Sequence, residues 1–321
     1  MARIETALTR LLGIEHPIFT APMSGIAGGA LANAVSHAGG MGIIGPGPDA
    51  TAIRREVAAA GNARVSIGFI TWRLERNPAA LDAALEAGPA AVMLSFGDSA
   101  PFFPRIKAAG CKIICQVQSV ALARTALDAG ADILIAQGRD AGGHSGNVRG
   151  TIGLVPAIVD IAGSVPVVAA GGIADGRGLA AALALGASGV SMGTRFTATR
   201  ESLWSDARKA AVTGGQGDNT VQTRVYDTLN DPDWPRMFPA RMLRNPTYDR
   251  WEHNETALEA SAETERALFQ ATPAEDLAQR MVLAGEAVDL IRDVPSAREL
   301  VERIVAEAIS VLRGGAALVR D

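Results

Sequence analysis

Residues 137–146 read QGRDAGGHSG. One of the chain's four histidines, His144, stands there between Gly142–Gly143 and Ser145–Gly146. Histidine is the side chain whose ordinary titration lies nearest neutral pH, so it can take a proton or donate a hydrogen bond to an anion. Glycines on both sides leave room for a flat, bulky group against the backbone. Two further glycine clusters follow apolar runs: AAGGIADGRG (169–178) and SMGTRF (191–196). A phosphate needs close approach to backbone N–H groups, which a Cβ would obstruct. Gly171 and Gly172, with Gly193 and the Thr194 hydroxyl, meet that need. A planar cofactor with a phosphate tail suits this set better than a small sugar phosphate.

Other chemistries find little support. GPGPDA (45–50) mimics a dinucleotide-binding turn, but the next apolar run, VSIGFIT, ends without the acid such a site requires, and Pro48 interrupts the turn. No Gly-Lys pair occurs, so there is no P-loop. Of the three lysines, Lys112 begins a strand, Lys107 sits in a helical stretch and Lys209 lies late in the chain, none placed for Schiff-base chemistry. The histidines (16, 37, 144, 253) show no ligand spacing, and Asp140 beside His144 is too small a set, so no metal is expected. Cys111 and Cys115 would stand about 13 Å apart on a strand, too far for a disulfide, and read as buried fillers.

These residues need a frame, and the chain supplies a repeating one. Eight short apolar runs recur: 17–23, 41–45, 65–70, 90–96, 112–117, 132–137, 165–170 and 189–194. They are continuous rather than alternating, as strands buried on both faces are. Ala-rich stretches ending in Gly lie between them and read as helices. Eight such units predict a (β/α)₈ TIM barrel, with chemistry on the loops after the strands. An open doubly wound sheet is the alternative. The long gap between the sixth and seventh runs holds QGRDAGGHSG, where a site should fall.

The predicted organisation is a barrel over 1–213, an irregular and helical cap over 214–295, and a C-terminal helix over 296–321 packing back on the barrel. VTGGQGDNT (212–220) reads as a flexible joint, and 231–253, rich in Pro and Trp, as irregular. Thr272-Pro273-Ala274-Glu275 and Ser296 with Glu299 read as helix starts, and Gly314 as the last helix's stop.

A net charge of −4 without a basic stripe argues against nucleic acid. No run approaches the ~18 apolar residues of a membrane span, and the first 17 residues lack a signal-peptide core. A cytoplasmic protein without a membrane partner is expected. The Ala-rich helices could pair two copies as a homodimer.

HPIFTAPMSGIAGGALANAVSHAGGMGIIG, AQGRDAGGHSG, VPVVAAGGIADGRGLAAALALGASGVSMGTRF and the following ATRES resemble the FMN-dependent nitronate monooxygenases, formerly called 2-nitropropane dioxygenases. The resemblance covers most of the chain and implies a barrel with a helical cap. It implies that Gln137 and Gly142 contact the flavin. Gly172, Ser191, Met192, Gly193 and Thr194 would hold the ring edge and phosphate. Met23 would lie near the isoalloxazine, and His144 matches the active-site histidine. One departure is Gly68, where the family often has a flavin-contacting Asn; Gln116 or Gln118 could substitute. The implied reaction is oxidation of an alkyl nitronate or nitroalkane by O₂ to a carbonyl compound and nitrite. The same motifs occur in NAD(P)H-dependent flavin reductases of enoyl thioesters or quinones, the main alternative. A non-redox phosphate-binding barrel is a third reading.

Overall fold

The computed structural model describes residues 3–316. Eight parallel strands form a nearly closed barrel: β1 (Ile18–Thr20), β2 (Ile43–Ile44), β3 (Ser66–Ile70), β4 (Ala91–Ser95), β5 (Lys112–Val117), β6 (Ile133–Gln137), β8 (Val167–Ala170) and β9 (Gly189–Met192). Each lies in one of the eight apolar runs. Spatial order follows chain order; β9 pairs with β1, and a lone parallel bridge from Phe19 to Met41 joins the two sheet ends.

Strand side chains alternate between two interiors. Phe19, Ile43, Met93, Ile114, Ile133, Ile135 and Val168 fill the barrel lumen, with Leu8 and Leu12 of the helix Ala7–Leu12 plugging its floor. Their neighbours, such as Val92, Ile113, Leu134 and Ala169, pack outward beneath the helices. Both faces are apolar, so the runs show no alternation. The parity also places the next inward positions, Gln116, Gln137 and Ser191, at the lumen's upper end. Ser119 caps the helix Val120–Ala129, which stops at Gly130 with φ +89°, and Asp175 caps Gly176–Ala184.

Beyond the barrel the chain is more ordered than its composition suggests. Residues 212–220 are not a free joint: Gly217 N–H donates to Asp289 Oδ1 at 2.7 Å, and a Cβ there would meet the Glu286 carbonyl. A small antiparallel sheet joins β10 (Thr220–Thr223), β11 (Ala240–Leu243) and β7 (Gly143–His144). The segment 231–253, read as irregular, thus contains β11 and the helix Pro246–Trp251, capped by Asn245. Thr272 does not begin a helix. It ends the helix Ala262–Ala271 in an extended conformation, as a residue before proline prefers, and Glu275 accepts a hydrogen bond from Ser205 instead of closing a capping box. Ser296 and Glu299 do form their box, at 2.8 and 3.2 Å. That last helix, Ala297–Ala316, continues through Gly314, because the exposed end leaves glycine tolerated in the final turn. It packs on the helix Gly176–Ala184, where Glu307 accepts from Gly176 N–H at 2.8 Å. No helix among the described residues is long and apolar enough to cross a membrane.

Candidate active site

Two adjoining cavities, a smaller and a larger, open above the C-terminal strand ends. Ala21, Gln116, Gln137, Gly142, Gly193 and Thr194 line both, so the two form one cleft.

The smaller cavity lies over the ends of β8 and β9. Gly171 and Gly172 turn there with φ +107° and +67°, values that favour glycine. Among the described residues, the N–H groups of Gly172 and Gly193 have no hydrogen-bond partner. Ser191 is 2% exposed, and its hydroxyl also has none. A Cβ on Gly193 would find its nearest neighbours, Ala21 Cβ and Met23 Sδ, at 3.5 Å. The protein itself therefore does not require glycine at 193. Unpartnered donors around a floor without a Cβ suit an oxyanion such as a phosphate. The residues present fit the tail of a flavin nucleotide.

Gly142 is glycine for another reason. A Cβ there would lie 2.5 Å from Gly285 N and 2.7 Å from the Ala284 carbonyl carbon. Its loop packs under residues 284–286, where Thr194 Oγ1 accepts from Gly285 N–H at 3.0 Å and the Asp140 carbonyl from Glu286 N–H at 3.0 Å. Asp140 also accepts from Thr151 N–H at 2.6 Å, so it fixes the loop. Met192 turns outward, as its parity requires, and packs beneath the helices; only its backbone reaches the rim. Gly68 points inward, and a Cβ would collide with Pro22. Of the two glutamines weighed against that position, Gln116 lines the cleft.

The larger cavity carries His144, Met23 and Gly143. Gln137 Nε2 donates to the His144 carbonyl at 3.0 Å, and its Oε1 accepts from Gln116 at 3.1 Å and Gln118 at 2.9 Å. Pairing of Ala240 with His144 holds the loop from the other side. His144 Nε2 lies 2.8 Å from Asp227 Oδ1, and the Asp227 side chain is 4% exposed. The Trp234 ring stacks on the imidazole, with centroids 3.5 Å apart and planes 21° apart. Phe96 approaches edge-on at 6.5 Å. Among the described residues Phe96 is the non-glycine with positive φ, +62°, a strained conformation that costs about 1–2 kcal/mol. It packs against Trp234 and Phe238. Arg73 reaches across Trp72 and Trp234 at the mouth and pairs with Asp231.

His144 thus shares the cleft with a second titratable group, Asp227. Asp227, Trp234, Phe96 and Arg73 escaped the sequence reading. Asp227 lies 83 residues from His144 and carries no motif. Burial pushes the Tyr226 hydroxyl up, and its oxygen lies 2.8 Å from both Asn245 Oδ1 and the Gln279 carbonyl oxygen, between which its one proton is shared.

A family model described as nitronate monooxygenase matches residues 5–66 and 71–307. A nitronate monooxygenase of Neurospora crassa is 32% identical over 95% of this chain and 93% of its own length. A (3aS,4S,5R,7aS)-5-hydroxy-7a-methyl-1-oxo-octahydro-1H-indene-4-carboxyl-CoA dehydrogenase of Mycobacterium tuberculosis is 32% identical over 99% of both chains. Among solved structures, FabK from Thermotoga maritima superposes with a TM-score of 0.86 at 32% identity, covering 98% of this chain and all of its own.

Proposed function

The chain belongs to the nitronate monooxygenase family, a family of flavin-dependent oxidoreductases, and on that premise we propose that it binds FMN and oxidises alkyl nitronates or nitroalkanes. The observation that carries the reading is the cleft itself, with unpartnered donors at one end and a fixed imidazole at the other. Ser191 and the N–H groups of Gly172 and Gly193 would hold the phosphate, with Gly171 shaping the turn. Gln137, Gly142 and Gly143 would border the ring, and Met23 would lie against it. FMN, when bound, would supply the electron acceptor between substrate and O₂. His144 meets the nitro group, and Trp234 and Phe96 exclude water above it. Two nitronates and one O₂ balance to two carbonyl compounds and two nitrites. The test is O₂ uptake with matched nitrite release from a primary nitronate. His144→Ala should keep its flavin and lose most turnover of a neutral nitroalkane such as nitroethane; full turnover of nitroethane in that variant refutes the role.

A second reading is an NAD(P)H-dependent reductase of enoyl thioesters or quinones. The FabK superposition and the dehydrogenase relative favour it. Anaerobic mixing with NADH or NADPH separates the two. Rapid loss of flavin absorbance supports the reductase, and a stable spectrum supports the oxygenase.

A further inference from the structure

Asp227 sits on the helix Val225–Asn230, whose inner side closes the larger cavity. A carboxylate kept this far from water is costly unless it is paired. Among the described residues its one side-chain hydrogen bond is to His144 Nε2 at 2.8 Å. Its other oxygen, Oδ2, is buried and makes none; Arg224 Nε stands off at 3.9 Å, likewise without a hydrogen bond. Asp227 therefore ties no other element of the fold through its side chain. Its placement serves the imidazole.

The chemistry of that contact sets a direction. A carboxylate oxygen accepts and does not donate, so the proton of the pair sits on His144 Nε2. In the neutral ring the lone pair is then on Nδ1. Nδ1 has no hydrogen-bond partner among the described residues, and the ring lines the cavity. Stacking on Trp234 and the edge of Phe96 oppose a ring flip that would exchange the two nitrogens. The other charged groups facing this part of the cleft, Arg73 and Asp231, are paired with each other.

We infer that Asp227 is the positioning residue that fixes the tautomer and orientation of the His144 imidazole, leaving the Nδ1 lone pair free for the cavity. This rests on the nitroalkane branch of the proposed function, in which His144 takes the substrate's α-proton. The Cα–H bond of a neutral nitroalkane breaks, and its electron pair remains on the substrate as the nitronate. The proton bonds to His144 Nδ1, and the resulting imidazolium faces the Asp227 carboxylate. Water later takes the proton. An anion supplied as nitronate needs none of this. It meets a lone pair backed by a carboxylate, a poor reception in a water-poor cleft.

Nitroethane and separately prepared ethylnitronate are compared as substrates of the wild-type holoenzyme and of Asp227→Asn. The amide can offer an N–H to Nε2 and so favours the other tautomer. The ratio of kcat/KM for nitroethane to that for ethylnitronate should fall about 10²-fold in the variant. Two readouts do not depend on oxidation. Wild-type protein should catalyse exchange of the nitroethane α-hydrogen in anaerobic D₂O, followed by proton NMR. Imidazole ¹⁵N spectra, assigned by difference from His144→Gln, should show the Nε2–H form in the wild type. An unchanged ratio, equal losses on both substrates, or a wild type that oxidises ethylnitronate without catalysing exchange would overturn the inference. So would an Nδ1–H tautomer, which is read without any Asp227 variant. If neither compound is oxidised, the nitronate reading fails, while the tautomer and exchange still decide the role of Asp227.

Discussion

Gly193 and Gly142 both border the cleft, yet the structure assigns them opposite reasons for lacking a side chain. At Gly193, φ is −101° and the nearest atoms to an added Cβ stand at 3.5 Å. Gly193→Val should therefore fold, with stability within about 1 kcal/mol of the wild type, since chain stiffening offsets modest crowding. Its methyl groups would occupy the phosphate cradle. Displacing two charge-assisted hydrogen bonds, at about 1.5–3 kcal/mol each, weakens FMN binding by about 3–6 kcal/mol, or roughly 10²–10⁴-fold. At Gly142 the Cβ would lie 2.5 Å from a backbone nitrogen. Gly142→Ala must push the loop off residues 284–285 and should cost about 1–3 kcal/mol even without flavin. The assay is a pair of measurements on each variant: thermal melting of the apoprotein, and flavin titration by absorbance and fluorescence quenching. Wild-type FMN binding by Gly193→Val, or an apoprotein of that variant that melts below Gly142→Ala, would contradict these two assignments.

Asp293 accepts from Arg303 at 2.7 and 3.1 Å and from the buried Arg195 at 2.8 Å. The Arg303 hydrogen bond, followed by the two cationic charges, holds its carboxyl below the usual range. The stabilisation is thus complete above the unfolded carboxyl's value, about 3.9, and disappears as pH falls through the lower folded one. Asp293→Asn should cost about 1–3 kcal/mol at pH 7 by leaving Arg195 short of a partner, and the gap between variant and wild type in urea melts should close as pH falls below about 3.9. Burial pushes the Cys115 thiol up to about 11, so native protein at pH 8 should resist iodoacetamide there and react once unfolded, as peptide mass mapping would show. Trp234→Leu removes the plane that holds the imidazole. It should lower kcat on nitroethane by about tenfold while FMN stays bound, because Trp234 lies away from the phosphate cradle.

The barrel was legible because its physics is local. A strand buried on both faces must be apolar throughout, and eight such runs at near-constant spacing admit few architectures. His144 stood out because glycines isolate it. Strand parity would also have turned Met192 outward, since Val190 and Met192 share the outer layer. The small sheet was not legible. TVQT and ARML carry no apolar run, and their partner β7 is two residues long. TVQT pairs with ARML across about twenty residues, but ARML meets β7 across about a hundred. Asp227 was hidden for the same reason, because nothing in VYDTLN marks an acid that will meet a histidine. At Thr272 the local cap pattern was present, but a helix already ending there and the Ser205–Glu275 contact outweighed it.

The cleft between the glycine cradle and His144 is proposed to hold FMN. The direct measurement is the absorption spectrum of the purified protein, with mass analysis of whatever heat releases. Flavin bands, one FMN per chain, and their loss in Gly193→Val are expected. A protein that stays colourless after incubation with excess FMN, or that yields a different chromophore, contradicts it.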